Sequence, residues 1–229
     1  MKRRRGGKDV VPELERRLAE LQRSLGPAHE DTLAAMNELA AALLERGEPD
    51  RARKLQEASL AIHRHVHGAD HPSSLELASR LAATCFAEGD LERARSLQAN
   101  VLESRRRALG DEAPETLTAM SGLGRILAAG GDLRSARDLY RQVLETRREL
   151  YGEDDPATLG AMTGLATALH LSGQHEEALA LYEHVLSRRR VLLGEDHPKT
   201  VAARRNLERA RRTEGGEDAG LDDERSRGA

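Results

Sequence analysis

The segment LGEDHPKT at residues 193–200 decides the fold, because related segments recur along the chain at a constant spacing. Its glycine, Gly194, is preceded by four others at intervals of 42 residues. A fixed period of this size is the sequence signature of a repeat array. The four earlier segments read LGPAHEDT (25–32), HGADHPSS (67–74), LGDEAPET (109–116) and YGEDDPAT (151–158).

Between consecutive segments, the apolar residues follow the period of an α-helix. In the repeat that begins at residue 68, they recur at intervals of three and four before and after the turn Gly89-Asp90. Glycine ends a helix readily and aspartate caps the next one, so each repeat is predicted to be a helical hairpin. One hairpin cannot bury its own apolar face, and stacking is therefore required. The apolar positions of this repeat are Leu75, Ala78, Leu81, Ala82, Cys85, Ala94, Leu97, Val101 and Leu102.

The pattern predicts an all-α fold, a right-handed α-solenoid (a superhelix of stacked antiparallel hairpins) with about ten helices. A polar last helix is expected because Arg204, Glu208 and Arg211 replace apolar residues where no further repeat would cover them. The flanking segments are a basic tail and an acidic, glycine-rich tail, both expected to be disordered. The predicted organisation is a tail (1–9), a solenoid (10–212) and a second tail (213–229). Within the solenoid we expect a half-repeat (10–25), four repeats (26–67, 68–109, 110–151, 152–193) and a capping helix (194–212).

Composition excludes several classes of partner. The net charge of −3 gives no general attraction to nucleic acid, and no apolar run approaches the ~18 residues of a membrane span. The single cysteine, Cys85, cannot form an intrachain disulfide and is compatible with a reducing compartment. No apolar segment follows the basic N-terminus, as a signal peptide would require. We therefore expect a cytoplasmic protein that binds neither nucleic acid nor a membrane.

Motifs for catalysis are also missing. The sequence has no GK[ST] phosphate loop and no G-x-S-x-G, and HEEAL at 175–179 lacks the second histidine of a zinc protease motif. Cys85 lies on the apolar stripe of a helix, which favours a buried thiol over a nucleophile. We expect no enzymatic activity and no cofactor.

A histidine cluster raises the alternative of a metal site. His63 and His67 are four residues apart and could share a helix face, with His65 and His71 nearby. However, His71 and His197 occupy the same capping position of the repeat, and no cysteine or acidic set completes a site. We therefore predict no metal.

These repeats resemble the tetratricopeptide repeat, in the 42-residue form found in kinesin light chains and in bacterial signalling proteins. The motif is carried by segments such as Leu109–Leu117 and Gly131–Leu139, with small residues such as Ala82 and Ala94 at matching positions. The chain departs from the motif at Glu30, where the other repeats have proline, and at Ser74, where they have threonine. The resemblance implies a concave groove, lined by the first helix of each hairpin, that binds a peptide or helix of a partner protein. It implies a non-enzymatic adaptor or scaffold. The alternative is a regulatory protein that binds a peptide in the groove and thereby changes its own affinity for a second partner.

The groove positions implied by the resemblance are mostly small and polar, with basic residues toward the C-terminal end. An acidic or polar peptide is the expected ligand, because guanidinium groups pair well with carboxylates. It stays open whether the interface is this groove or another face, and nothing in the sequence indicates the oligomeric state. The candidate partner-binding residues are Asn37, Glu76, Ser79, Phe86, Ser121, Arg125, Thr163, Thr167, His170, Arg205 and Arg209.

Two further features have both a structural and a functional explanation. Gly122 and Gly164 lie in the middle of predicted helices, where they could admit a ligand backbone or, as we favour, allow close packing. Arginine clusters such as Arg105-Arg106-Arg107 recur at the ends of second helices, where they favour the negative end of the helix dipole. They could also bind phosphate or an acidic protein surface.

Overall fold

A computed structural model describes residues 10–214 of the protein, with side chains through Arg212. The described residues form ten α-helices, none of them long and apolar enough to cross a lipid bilayer. The all-α prediction is confirmed, whereas the predicted tail 1–9 and residues 215–229 of the predicted tail 213–229 lie outside the described residues. The helices are α1 (Val11–Ser24), α2 (Glu30–Arg46), α3 (Pro49–His67), α4 (Pro72–Glu88), α5 (Leu91–Leu109), α6 (Pro114–Ala129), α7 (Leu133–Tyr151), α8 (Pro156–Leu171), α9 (His175–Leu193) and α10 (Pro198–Glu214).

The helices form two compact units, one ending at Gly110 and the other beginning at Asp111. In the first unit, consecutive helices pack against each other from α1 through α5. In the second unit, consecutive helices pack against each other from α6 through α10, and α6 also contacts α8. The short turns make consecutive helices antiparallel, so the predicted stack of helical hairpins is confirmed.

Small residues bring the helices of each hairpin close together. Ala52, Ala94, Ala136 and Ala178, which share one position of the second helix, are fully buried. The core around them is mainly leucine and alanine, with the buried rings of Tyr140 and Tyr182, and close helix approach lets mostly small and aliphatic side chains fill the space.

Two of the turns that precede a hairpin are held by one glycine and one hydroxyl group. Gly68 follows α3 with φ at +97°, a conformation that residues with a Cβ rarely adopt. Its carbonyl accepts a hydrogen bond of 2.8 Å from the Ser74 hydroxyl, which is fully buried in the first turn of α4. Thr32 donates in the same way to the Gly26 carbonyl.

The histidine of the repeated segment caps the following helix. His71 Nδ1 accepts from the Ser73 N–H at 3.3 Å. His29 and His197 make the same contact in their own repeats, with the N–H groups of Asp31 and Lys199. These side chains satisfy N–H groups that a helix leaves free at its start.

The last helix is shifted relative to the predicted capping helix (194–212). α10 begins at Pro198 and extends to Glu214, two residues beyond the expected end. Its buried residues are Thr200, Ala203, Leu207 and Ala210.

The ring of Tyr140 is wedged between two helices at glycine positions. A Cβ built on Gly164 of α8 would lie 2.2 Å from Tyr140 Cε1, and one built on Gly124 of α6 would lie 3.1 Å from Cε2. The ring therefore passes directly over both glycine backbones. At Gly164 the mid-helix glycine serves close packing, as the sequence analysis favoured.

Gly164→Ala should destabilise the protein by about 1–3 kcal/mol, because the new methyl group overlaps the buried ring. Gly160→Ala is the matched control in the same helix, since nothing lies within 4 Å of its Cβ position. It should stabilise by about 0.5–1 kcal/mol through helix propensity alone. Urea unfolding followed by circular dichroism measures both; equal stabilisation by the two substitutions would contradict the wedge.

Thr32→Val should destabilise the protein by about 1–2 kcal/mol, because it removes the buried hydroxyl that binds the Gly26 carbonyl. Thr32→Ser should change the stability little, since Ser74 makes the same bond in the next repeat. Chemical denaturation of the two variants, compared with wild type, tests the contribution of the hydroxyl. A loss in Thr32→Ser without a loss in Thr32→Val, which keeps a γ-methyl group, would show that the methyl group of Thr32 is responsible instead.

Candidate functional site

The candidate residues of the first unit lie on the first helices of two successive hairpins. Asn37 on α2 and Ser79 on α4 are both half-buried, as is Phe86 near the end of α4. The Asn37 side chain accepts a hydrogen bond from the Ser59 hydroxyl at 3.3 Å. The Ser79 hydroxyl is buried without a hydrogen-bond partner among the described residues. This surface therefore combines small side chains with unused polar groups.

Glu76, the acidic candidate on α4, is already paired with arginine. Its carboxylate is 3.1 Å from Arg80 Nε, one turn later on the same helix, and 3.6 Å from Arg105 of α5. The Arg105 side chain is only 11% exposed. Glu76 thus neutralises positive charge inside the first unit.

A cleft of about 550 Å³ opens between α2, α3 and α4. Asn37 lines it together with the apolar side chains of Ala41, Leu44, Leu77 and Ala83. Candidate residue Asn37 and the space beside it therefore form a concave, largely apolar site within the first unit.

The hydroxyl candidates of the second unit donate their protons to their own helices. Ser121 binds the Leu117 carbonyl at 2.9 Å, and Thr163 binds the Leu159 carbonyl at 2.8 Å. Each contact is the i−4 back-bond of a helical serine or threonine. The oxygen lone pairs are left to accept hydrogen bonds, so these positions favour a ligand that donates.

Thr167 is linked to a tyrosine that the sequence analysis did not include among the candidates. Its hydroxyl lies 2.9 Å from the Tyr182 hydroxyl. Burial raises the pKa of Tyr182, while the hydrogen bond with Thr167 and the charge of Arg209 act in the opposite direction. The signal was available: Tyr182 follows Tyr140 by 42 residues, and Gln56 and Gln98 occupy the same position in the earlier repeats.

Three candidate arginines of the second unit are exposed: Arg125, Arg205 and Arg209. Arg205 makes no hydrogen bond or ion pair with any residue from 10 to 212. Its neighbours on α10 are paired, Arg204 with Glu195 and Arg211 with Glu183. The guanidinium of Arg205 is therefore available to an anion from outside.

Arg147 is buried and forms no ion pair with any residue from 10 to 212. The side chain donates to the Ala157 carbonyl at 2.8 Å and to the Thr118 hydroxyl at 3.4 Å. Burial lowers the pKa of Arg147, and Asp155 opposes this effect. Thr118 stands 42 residues after Glu76, and Arg147 stands 42 residues after Arg105. The second unit thus lacks the carboxylate that neutralises the equivalent arginine in the first.

Models of the tetratricopeptide repeat match residues 32–73, 73–149, 136–190 and 157–219. The chain is a tetratricopeptide repeat protein. Such repeats are protein-interaction modules, and the assignment supports a protein-binding scaffold in general. The family is typically non-catalytic.

Solved structures place this tetratricopeptide repeat protein near the kinesin-light-chain type, as the sequence resemblance predicted. A Podosopora anserina kinesin light chain with nearly identical repeats shares 28% identity at a TM-score of 0.71, covering 81% of this chain and 88% of that one. A point variant of that protein gives 29% identity, a TM-score of 0.72, and coverages of 80% and 86%. BtubC (BKLC) from P. vanneervenii has the same fold at 20% identity, with a TM-score of 0.70 and coverages of 88% and 84%. A search of curated proteins finds no match.

The histidines of this repeat protein contact one another in two places. The His67 and His71 rings stack with centroids 4.8 Å apart, and buried His63 bonds the Ser59 carbonyl through Nδ1 at 2.9 Å. Candidate His170 on α8 lies with its Nδ1 atom 3.2 Å from Nδ1 of His175. Within the described part of the chain, no three potential metal-binding side chains are grouped together.

Burial raises the pKa of Tyr140 to about 12, against an ordinary value near 10. The folded chain therefore holds this proton more tightly than the unfolded chain. The contribution of Tyr140 to the free energy of unfolding is fully present below pH 10. It falls by roughly 2–3 kcal/mol as the pH rises from 10 to 12. Tyr140→Phe should lose correspondingly less stability over that range. Urea unfolding of both proteins at pH 9, 10, 11 and 12 tests this; parallel curves would contradict it.

Proposed function

We propose that this protein is a non-catalytic adaptor that binds a peptide or helix of a partner protein along the first helices of its hairpins, and that the bound segment is acidic. The observation that carries the proposal is the exposed arginine set of the second unit. Arg205 has no counter-ion among residues 10–212, and Arg209 follows it by one turn of α10. Two guanidinium groups spaced in this way can each bind a carboxylate through paired N–H donors.

The hydroxyl groups support an extended segment as the partner. Ser121 and Thr163 use their protons on their own helices, and their oxygens remain as acceptors. The backbone N–H groups of an extended peptide are suitable donors to such a row. In this arrangement the arginines bind the side chains of the partner, and the hydroxyls bind its backbone.

The first unit contributes a different kind of surface. Its candidate carboxylate, Glu76, is paired with arginines of the same unit, and its cleft is largely apolar. The first unit has a concave cleft and the second has exposed arginines. This difference favours a second candidate function, a regulator that senses one ligand and binds another partner. The proposal includes action in the cytoplasm, because the only cysteine, Cys85, is a buried free thiol, as expected in a reducing compartment.

The charge-reversal variant Arg125→Glu/Arg205→Glu should weaken the binding of an acidic peptide by about tenfold or more, because attraction at two positions becomes repulsion. The probe is a fluorescent 12-residue peptide rich in glutamate, compared with the same peptide carrying glutamine at those positions. Fluorescence anisotropy gives Kd for both peptides at low and at physiological salt, and the affinity of the acidic peptide should fall as salt rises.

The matched control is Arg95→Glu/Arg134→Glu, which changes the net charge equally at exposed positions of second helices. This control should bind the acidic peptide as wild type does. If both variants bind the acidic peptide equally weakly, net charge alone explains the loss of affinity, and a defined binding face is contradicted. Equal affinity of wild type for the glutamate and glutamine peptides would contradict the acidic preference.

A further inference from the structure

The cleft of the first unit contains a buried hydrogen-bond acceptor that no described residue satisfies. Gln56 of α3 lines the cleft and is only 6% exposed. Its side-chain carbonyl oxygen, Oε1, is buried and has no hydrogen-bond partner among the described residues. A buried acceptor without a donor is unfavourable, because it has given up its hydrogen bonds to water. A ligand that brings a donor to this oxygen would remove that cost.

The second unit shows which group fills the corresponding space. Gln56 stands 84 residues before Tyr140, so the two occupy the same position of the repeat. The two glycines that contact the Tyr140 ring, Gly124 and Gly164, likewise correspond to Ala40 and Arg80. Ala40, Gln56 and Arg80 all line the cleft. The cleft is therefore the place where a tyrosine ring would pack, in a repeat that lacks the tyrosine.

The size and lining of the cleft fit a small molecule. Its volume of about 550 Å³ lies within the range of small-molecule sites, which are mostly apolar with a few placed polar groups. The methyl groups of Ala41 and Ala83 and the side chains of Leu44 and Leu77 supply the apolar surface. Gln56 supplies the single buried acceptor.

We propose that this cleft binds a small aromatic molecule carrying one hydrogen-bond donor, of the phenol or indole class, with the ring in the place of the missing tyrosine and the donor on Gln56 Oε1. This site lies wholly within the first unit. It does not depend on the partner peptide proposed above.

The experiment uses the full chain with p-cresol and indole as donor-bearing probes and toluene as the probe without a donor. Saturation-transfer NMR gives their relative affinities, and the thermal melting temperature follows binding independently, since a ligand of the folded state stabilises it. We expect p-cresol to bind at least about fivefold more tightly than toluene, because the hydrogen bond to a desolvated acceptor adds to the apolar contact.

Two variants distinguish the contribution of the Gln56 acceptor to binding from the contribution of the cavity. Gln56→Met keeps the shape and removes the acceptor, so p-cresol and toluene should bind it equally. Ala40→Gly/Gln56→Tyr/Arg80→Gly recreates the arrangement of Tyr140 with Gly124 and Gly164 inside the cleft and should abolish binding of all three probes while circular dichroism reports an unchanged helix content. Arg125→Glu/Arg205→Glu, which disrupts the proposed peptide surface, should leave p-cresol binding unchanged, so the two proposals can fail separately.

The proposal is overturned if no probe binds at millimolar concentration, if toluene matches p-cresol on the wild type, or if Gln56→Met keeps the preference for p-cresol. A fourth measurement tests the kind of ligand. If a tyrosine-containing peptide binds the cleft far more tightly than p-cresol does, the occupant is a partner side chain, and the assignment to a free small molecule is wrong.

Discussion

The glycine that follows each second helix is the constraint on which the rest of the structure depends. Gly68, with φ at +97°, turns the chain into the next hairpin, and the buried Ser74 hydroxyl holds its carbonyl there. A single hairpin cannot bury its apolar face, so the turn must present the next hairpin in a fixed position. Five such glycines at identical intervals mean that every hairpin begins at the same point of the repeat.

A constant register turns each difference between repeats into a local structural difference. Tyr140 packs its ring against two glycines, Gly124 and Gly164. Gln56 occupies the same position in an earlier repeat, where Ala40 and Arg80 replace those glycines and a cleft remains. The buried Tyr182 of the last full repeat has Ala166 and Asn206 at those positions instead, so the surroundings of the tyrosine differ between repeats.

The sequence was sufficient to predict the hairpins, because their apolar spacing and glycine turns are local properties. The capping histidines were placed correctly for the same reason, as His71 shows. The hydrogen bonds of the candidate residues could not be predicted, because the side-chain conformation decides whether Thr163 turns its proton to its own helix or to a ligand. The link from Thr167 to Tyr182 joins two helices and depends on their packing. The groove assignment itself stays a prediction.

The two units differ in charge at one position of the repeat, which Glu76 occupies in the first unit and Thr118 in the second. Arg147 and Arg189 each donate to a carbonyl in the first turn of the next hairpin, at Ala157 and Lys199, so these arginines hold neighbouring hairpins together. In the first unit the corresponding Arg105 has Glu76 as a counter-ion, whereas Arg147 has only the Thr118 hydroxyl. Arg147 is buried, with the charge of Asp155 acting on it, so its role is in stacking. The arginine that a carboxylate from another molecule can approach is the exposed Arg205, which has no counter-ion among residues 10–212, and this is the physical basis for expecting an acidic partner there.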